Sequence, residues 1–131
     1  MIYEQQETGT TPHIRFDFEE NDYMIQGRSL AENAMEFYGA AIDWLDENLQ
    51  NRKTTAVLVV KLDYCNTSSY LGLAQVLHKL KELNSGGSSF KVKWVYEEGD
   101  EDWLEDGQNF QEAVDLPFEY ESFASPPQQE S

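Results

Sequence analysis

The run Ala56-Val57-Leu58-Val59-Val60-Lys61-Leu62 passes directly into Asp63-Tyr64-Cys65-Asn66-Thr67-Ser68-Ser69. The first of these two segments is almost entirely β-branched or aliphatic, which predicts a strand covered on both faces in the middle of a sheet. The hydroxyl-rich segment precedes a run with helical spacing, so it forms the turn from a strand into a helix. A helix start presents free backbone N–H groups and a positive dipole end, so a hydroxyl there can cap the helix or carry a phosphate.

Downstream of this turn the sequence predicts a helix and then another strand. Apolar residues recur at helical spacing, at Leu73, Val76, Leu77, Leu80 and Leu83. Residues 84–87, Asn-Ser-Gly-Gly, then read as a helix stop, and residues 90–96 alternate as a strand. A strand, helix and strand over residues 56–96 normally form a right-handed crossover between parallel strands.

Upstream, the sequence predicts a β-hairpin followed by a helix. Residues 13–18 alternate, and residues 23–27 read as the returning strand after a polar turn. Ser29-Leu30-Ala31-Glu32 is a capping-box pattern, which predicts a helix that begins there. The residues that continue this helix form one apolar stripe that must lie on a sheet or on another helix, made of Ala34, Phe37, Tyr38, Ala41, Ile42, Leu45 and Leu49. Residues 1–12 are polar with little periodicity and are predicted to be a loose lead-in.

The C-terminal part predicts a third helix. Trp103, Phe110 and Val114 can share one helical face, and acidic residues stand in its first turn, where the helix dipole favours them. Residues 116–118 close the fold, and residues 122–131 are predicted to be a disordered tail. The element order is therefore ββ-α-β-α-β-α. This order predicts one small α/β domain over residues 13–121, with a mixed β-sheet and helices mainly on one face.

Composition narrows the possible partners. The 131 residues contain 9 Lys and Arg against 25 Asp and Glu, a formal net charge of -16, which disfavours nucleic acids and anionic membranes. A surface of this sign steers encounters toward basic partner surfaces. The single cysteine cannot form an internal disulfide, and no leader or membrane-spanning apolar run is evident. We therefore expect a soluble protein in the reducing cytoplasm.

The chain offers few groups for catalysis, and no cofactor motif. His13 and His78 are predicted to be structural or surface residues, and Cys65 a buried, inert thiol. The acidic run that includes Asp100, Asp102 and Glu105 lacks the spacing of a calcium loop. A small metal-dependent enzyme that uses these three carboxylates stays open as an alternative function. For the hydroxyl-rich turn, N-capping and regulated phosphorylation both remain open.

Several short motifs together resemble the SiaC family of bacterial regulatory phosphoproteins. They are Gly27-Arg28-Ser29 with Glu32-Asn33, residues 63–69, Trp94-Val95-Tyr96 and Asp100-Glu101-Asp102. The resemblance runs in order from about residue 13 to residue 118. It implies a fold like the anti-sigma-factor-antagonist (STAS) domain. It also implies a non-enzymatic switch in which a threonine of the Asn-Thr-Ser-Ser turn is phosphorylated by a dedicated protein kinase and reset by a protein phosphatase.

By this resemblance the phosphorylated residue is Thr67, with Ser68 as the second candidate. The unphosphorylated form would bind an effector protein such as a diguanylate cyclase, which links the switch to cyclic diguanylate and biofilm formation. We expect the neighbouring partner contacts to be Ser29, Glu32, Asn33, Tyr64, Asn66, Ser68 and Ser69. A constitutive scaffold that is never modified is the remaining alternative.

Overall fold

The computed structural model describes residues 1–125 as six strands and three helices in one sheet-and-helix domain. In chain order they are β1 Ile2–Gln5, β2 His13–Asp17, β3 Asp22–Ser29, α1 Ala34–Leu49, β4 Thr55–Cys65, α2 Thr67–Ser85, β5 Ser89–Glu97, α3 Glu101–Val114 and β6 Phe118–Phe123. The spatial order of the strands is the same as their order in sequence. The first three strands pair antiparallel, and β3 to β6 pair parallel through the three helices.

All three helices pack on one face of this mixed sheet. Trp44 of α1 lies 6.1 Å from Phe16 of β2, and Trp103 of α3 stacks on Trp94 of β5 at 4.3 Å between ring centroids. Between these two contacts, α2 lies on the same face, with Tyr70 6.2 Å from Trp103. The predicted α/β class, mixed sheet and one-sided helix layer are therefore confirmed.

The opposite face of the sheet carries no helix in the part of the chain that the structure describes. Val57, Val59 and Lys61 of β4 are therefore half-buried, while the alternate residues facing the helices are buried. The prediction that this strand is covered on both faces is wrong for that reason. Ion pairs partly cover the open face beside β4, where Lys91 meets Glu119 at 3.5 Å and Lys93 meets Glu121 at 3.3 Å.

The predicted loose lead-in is wrong for Ile2–Gln5, which form the edge strand β1. Only one side chain of this strand faces the core: Tyr3 packs against Phe16 at 6.0 Å and Trp44 at 6.4 Å. The N-terminal ammonium also pairs with Glu19 at 2.6 Å. A strand that buries a single aromatic residue leaves no periodic pattern in the sequence, so the alternation test could not find it.

The chain end also differs from the prediction, because Phe118–Phe123 form the sixth strand beside β5. Phe118 faces the helix layer, 6.0 Å from Trp94, and the hydroxyl of Tyr120 donates to Gln111 Oε1 at 2.6 Å. The predicted disordered tail therefore begins too early at residue 122. Residues 126–131 of that predicted tail lie outside the described residues.

The first helix begins at Ala34, five residues after the predicted capping serine. Ser29 instead ends β3, paired with Cys65 of β4, so its backbone belongs to the sheet. Asn33 caps the helix: its Oδ1 accepts from the Glu36 N–H at 3.3 Å, and its Nδ2 donates to the Glu36 carboxylate at 3.0 Å. The cap and its glutamate are thus displaced from Ser29 and Glu32 to Asn33 and Glu36, and the carboxylate binds the side-chain amide of Asn33 where a capping box would bind its backbone N–H.

Two glycines allow the helices to lie close to aromatic side chains. A Cβ at Gly72 of α2 would stand 2.4 Å from the Tyr38 ring, and one at Gly107 of α3 would stand 2.6 Å from the Trp94 indole. The apolar stripes predicted for α1, α2 and α3 are confirmed by this packing. Across residues 1–125, no helix combines the length and the apolar character needed to cross a membrane.

Candidate functional site

A β-bulge shapes the carboxyl end of β4. The register pairs Gly27 with Leu62 and then Arg28 with Tyr64, so Asp63 is an extra residue without a partner in β3. Gly27 adopts a φ of +118°, a conformation that side-chain-bearing residues rarely adopt. Tyr64 is consequently 60% exposed, and the Arg28 guanidinium lies 5.0 Å from the centre of its ring.

Asn66 follows the bulged strand and caps α2. Its side-chain oxygen accepts a hydrogen bond from the Ser69 N–H at 2.8 Å, which confirms the capping interpretation of this turn. The backbone N–H of Asn66 donates to the Ser29 carbonyl at 3.0 Å, and its side-chain amide donates to the Ala31 carbonyl at 3.2 Å. The helix start is therefore fixed to the segment that joins β3 to α1.

Ser69 belongs to a buried chain of hydroxyl groups behind this helix start. Its hydroxyl donates to the Ser29 carbonyl at 2.8 Å and accepts from the Ser29 hydroxyl at 2.6 Å. The Tyr38 hydroxyl lies 2.7 Å from the hydroxyl oxygen of Ser29, and burial raises the pKa of Tyr38. Ser29 and Ser69, two of the predicted partner contacts, are 1% and 0% exposed and therefore offer a partner almost no accessible surface. The hydrogen bonds of these two serines hold the turn from the protein interior.

The other two hydroxyls of the turn differ from each other. The Ser68 hydroxyl accepts from the Ala34 N–H at 3.1 Å and donates to the Glu32 carbonyl at 3.2 Å. Thr67 is exposed, and its hydroxyl makes no hydrogen bond within residues 1–125. Thus the turn holds one buried serine, one bonded serine and one accessible threonine.

Charge also distinguishes this helix start. The first turn of α1 contains Glu36 and that of α3 contains Glu101 and Asp102, but the first turn of α2 contains no acidic residue. In a chain with 25 acidic residues, the positive dipole end of α2 is left without a carboxylate of its own. The arrangement suits an added anion at an exposed hydroxyl.

Cys65 and His13 are half-buried and His78 is exposed, so the thiol is less buried than the sequence predicted. Burial, with a smaller effect from Asp106, raises the pKa of the Cys65 thiol to about 12, so the thiolate is scarce at neutral pH. His13 is bonded through Nε2 to Glu4 at 2.8 Å on the sheet, and His78 is an exposed residue of α2. The partner of His13 is a carboxylate and not a hydroxyl or thiol, so within residues 1–125 this pair lacks the nucleophile that such a histidine would activate.

The acidic run does not form a metal centre in the described part of the chain. Asp100 caps α3 by accepting from the Trp103 N–H at 3.0 Å, while Asp102 and Glu105 are exposed on the helix. No three His, Cys, Asp or Glu side chains among residues 1–125 come close enough together to hold a metal ion. The metal-dependent alternative therefore gains no support from the geometry.

Sequence reasoning missed one contact beside the turn. The Tyr70 hydroxyl, one helical turn beyond Asn66, donates to the Asp106 carboxylate of α3, and the Tyr70 ring stacks on Phe110 at 5.9 Å. This contact ties the start of α2 to α3. The available signal was the helical spacing, since Tyr70 stands three residues before Leu73 and seven before Leu77 and so extends the predicted stripe toward the helix start.

Fold and site together define a small α/β domain whose site is an exposed, hydroxyl-bearing helix start. Residues 5–123 match the model of the SiaC family regulatory phosphoproteins, so the chain belongs to the SiaC family. It is also 32% identical over 111 residues to an uncharacterized protein of Pseudomonas aeruginosa strain UCBPP-PA14, a match that covers 85% of this chain and 88% of that protein.

Solved structures of SiaC from Pseudomonas aeruginosa share the same fold. One matches with a TM-score of 0.83 at 28% identity, covering 94% of this chain and 99% of that one. A second is a complex of the diguanylate cyclase SiaD with its activator SiaC, which matches with a TM-score of 0.84 at 30% identity. That match covers 92% of this chain and 99% of the matched chain.

Proposed function

We propose that this protein is a non-enzymatic switch whose binding to an effector protein is controlled by phosphorylation of Thr67. A partner protein kinase adds the phosphate, and a protein phosphatase removes it. The single observation that carries the proposal is the accessibility of the Thr67 hydroxyl beside a helix start without acidic residues. Membership of a regulatory phosphoprotein family supports the same assignment.

The three hydroxyls of the turn are not equivalent substrates for a kinase. Phosphorylation of Ser69 would require a dianion at a 0% exposed position. Phosphorylation of Ser68 would break its hydrogen bonds to Glu32 and Ala34. Thr67 loses neither burial nor a hydrogen bond within the described residues, so it is the favoured acceptor.

The effector is proposed to be a diguanylate cyclase, since a SiaC structure of similar fold is a cyclase activator in complex with SiaD. The exposed or half-buried residues around Thr67 are the proposed contacts, namely Glu32, Asn33, Tyr64, Asn66 and Ser68. The proposed output is cyclic diguanylate signalling and the control of biofilm formation. The protein, its kinase and its phosphatase would act together in the cytoplasm.

Magnitudes favour a local action of the phosphate. A negative group at a helix N-terminus gains about 0.3 to 2 kcal/mol. Moving a domain between two states from 1:99 to 99:1 requires about 5.5 kcal/mol. The phosphate, which adds about -1.5 to -2 of charge, therefore acts by obstructing or repelling a partner at the turn, without refolding the domain.

Intact mass after co-expression with the cognate kinase tests the proposal. We expect one phosphate on the wild-type chain, none on Thr67→Ala, and one on the matched control Ser68→Ala. Purified cyclase should bind the unmodified chain and lose binding to the phosphorylated one. Undiminished phosphate on Thr67→Ala would contradict the site, and equal cyclase binding by both forms would contradict the switch.

A further inference from the structure

The face of the sheet opposite the helices differs in charge from the rest of the chain. Side chains alternate along each strand, so the residues between the buried ones lie on this open face. They include five of the nine lysine and arginine residues, namely Arg15, Arg28, Lys61, Lys91 and Lys93. Helix α1, in contrast, contains four carboxylates and helix α3 five, and neither contains a lysine or an arginine. In a chain with a net charge of -16, the open face therefore repels a second copy least.

The middle of the open face is apolar. Val57 and Val59 of β4 are half-buried there, and Met24 of β3 lies level with Val59. The ammonium of Lys61, the next residue of β4 on this face, is turned away from the valines toward β6, where it lies 4.6 Å from the centre of the Phe123 ring. An apolar centre with charged residues around it is the usual anatomy of a protein–protein interface.

The strand register places opposite charges at equal distances on the two sides of β4. Two strands away from Val59, Arg15 of β2 and Glu119 of β6 lie at the same level on opposite sides. One level lower, Asp22 of β3 and Lys91 of β5 stand on opposite sides of β4, one strand away. The open face thus has charge patterns that are complementary about β4.

A two-fold axis parallel to β4 would bring these charges together. With two sheets packed face to face, about 10 Å apart, such an axis lays β3 on β5 of the second copy and β2 on its β6. Asp22 then faces Lys91 of the second copy. Arg15 faces Glu119 of the second copy, and the valines of both copies meet at the centre. Each charge pair occurs twice, as an isologous interface requires.

The area of the open face suits a weak dimer. The five strands that would overlap, β2 to β6, are together about 24 Å wide at about 4.8 Å per strand. The seven residues from Asp22 to Arg28 extend over about 23 Å at about 3.3 Å per residue. The two faces would therefore bury roughly 1,100 Å² in total, just above the roughly 1,000 Å² expected of a specific interface.

We propose that the open face binds a second copy of this chain, sheet against sheet, about a two-fold axis parallel to β4. The start of α2 belongs to the helix layer on the other side of the sheet, so the dimer leaves both Thr67 hydroxyls accessible. The inference does not depend on the proposed function, because it involves neither the hydroxyl-bearing turn nor the effector.

Sedimentation equilibrium of the purified chain over a range of concentrations tests the proposal. The average mass should rise with concentration from 15.1 kDa toward twice that value. Val59→Glu places a carboxylate of each copy at the two-fold axis, so it should weaken association about tenfold or more. Leu71→Glu is the matched control, since Leu71 is 59% exposed in the helix layer, and it should associate as wild type does.

A charge exchange tests the geometry of the dimer without changing its apolar centre. Asp22→Lys and Lys91→Asp should each weaken association, because each sets like charges opposite one another. The double variant should restore association to near the wild-type value, since the pair is formed again with its signs reversed. Circular dichroism checks that every variant is folded, and the charge exchange decides the matter if Val59→Glu is not.

A wild-type chain that stays monomeric up to millimolar concentration would overturn the proposal and leave the phosphorylation switch standing. Undiminished association of Val59→Glu, or an equal loss in Leu71→Glu, would show that the open face is not the interface. Loss of association in both single charge variants without rescue in the double variant would overturn the two-fold axis parallel to β4.

Discussion

The N-terminal turns of α2 and α3 have the same capping geometry but differ in charge. Each follows a parallel strand, and each is capped by a side-chain oxygen that accepts from the N–H three residues on, at 2.8 Å for Asn66 and 3.0 Å for Asp100. The first turn of α3 contains Glu101 and Asp102, whereas residues 67–69 of α2 contribute only hydroxyls. One helix start thus carries permanent negative charge, and the other can acquire it by modification.

The two starts are also anchored differently. The start of α3 is held mainly by its own cap and by Trp103, whose indole N–H donates to the Val95 carbonyl at 3.3 Å. The start of α2 is held by the end of β3, through Ser29 and its bonds to Ser69. A modifiable turn that is anchored from behind can change its charge without losing its position.

The largest expected effect is a loss of stability on replacing Gly72 of α2, which packs against the Tyr38 ring of α1. Ala at this position would overlap the Tyr38 ring, so Gly72→Ala should lower the free energy of unfolding by about 1–3 kcal/mol, as overpacking does. Gly39→Ala in α1 is the control: its Cβ would meet nothing within 4 Å, and helix propensity should raise stability by about 0.5–1 kcal/mol. Urea denaturation measures both. A shift of the same sign in the two variants would argue against close packing at Gly72.

The second prediction compares the two serines of the turn. Ser69→Ala leaves the buried Ser29 carbonyl without its hydroxyl donor and should cost about 1–3 kcal/mol. Ser68→Ala removes bonds at a half-buried position and should cost about 0.5–1.5 kcal/mol. If denaturation ranks Ser68→Ala as the more destabilised variant, the buried hydroxyl chain is not the main anchor of the turn.

The third prediction exchanges charge between the two helix starts. Thr67→Glu should raise the free energy of unfolding by about 0.3–1 kcal/mol relative to Thr67→Gln, because only the carboxylate interacts with the dipole. Glu101→Gln should lower it by about the same amount. Both differences should shrink at about 1 M salt, where charges are screened within about 3 Å. Thermal unfolding at low and high salt measures them, and a salt-independent difference would rule out the electrostatic explanation.

The last prediction concerns Cys65, which lies beside the start of α2 and has the smallest effect of the four at neutral pH, where the thiol keeps its proton in both states. Its pKa is raised from 9.0 to about 12 in the folded chain, so between these values the unfolded state has lost the proton and the folded state has kept it. The unfolded state is therefore increasingly favoured, and stability falls as the pH rises from 9 toward 12. Cys65→Ala should show a shallower fall in urea denaturation at several pH values. An identical slope in the two proteins would mean that the thiol does not contribute.

The long elements were predictable because burial imposes a periodic pattern on them. Residues 56–62 and the leucine stripe of α2 each bury several side chains on one side. Strands β1 and β6 lie at the sheet edges, where Tyr3 and Phe118 are almost isolated apolar contacts. These two strands pair because the tertiary fold brings them to the sheet edges, so no local sequence pattern predicts them.

The turn was predictable as a helix start, and its internal organisation was not. The hydrogen bonds between Ser29 and Ser69 join residues 40 apart and depend on the parallel pairing of β3 with β4. The bulge at Asp63 decides that Tyr64 is exposed and Cys65 is not. Ser29 was expected to begin α1 because Glu32 stands three residues later; strand pairing overrode this local preference.

The stacked indoles of Trp94 and Trp103 have a spectroscopic consequence. Their ring centroids are 4.3 Å apart, and Phe110 of α3 lies 5.6 Å from Trp94. The remaining tryptophan, Trp44, lies on the same face at the other end of the sheet, where it packs against Tyr3 and Phe16. A partner that contacts α3 beside this indole pair should therefore perturb its emission, while a Trp44→Phe variant removes the background from the third tryptophan. The protein thus contains its own fluorescent reporter of contacts made at α3.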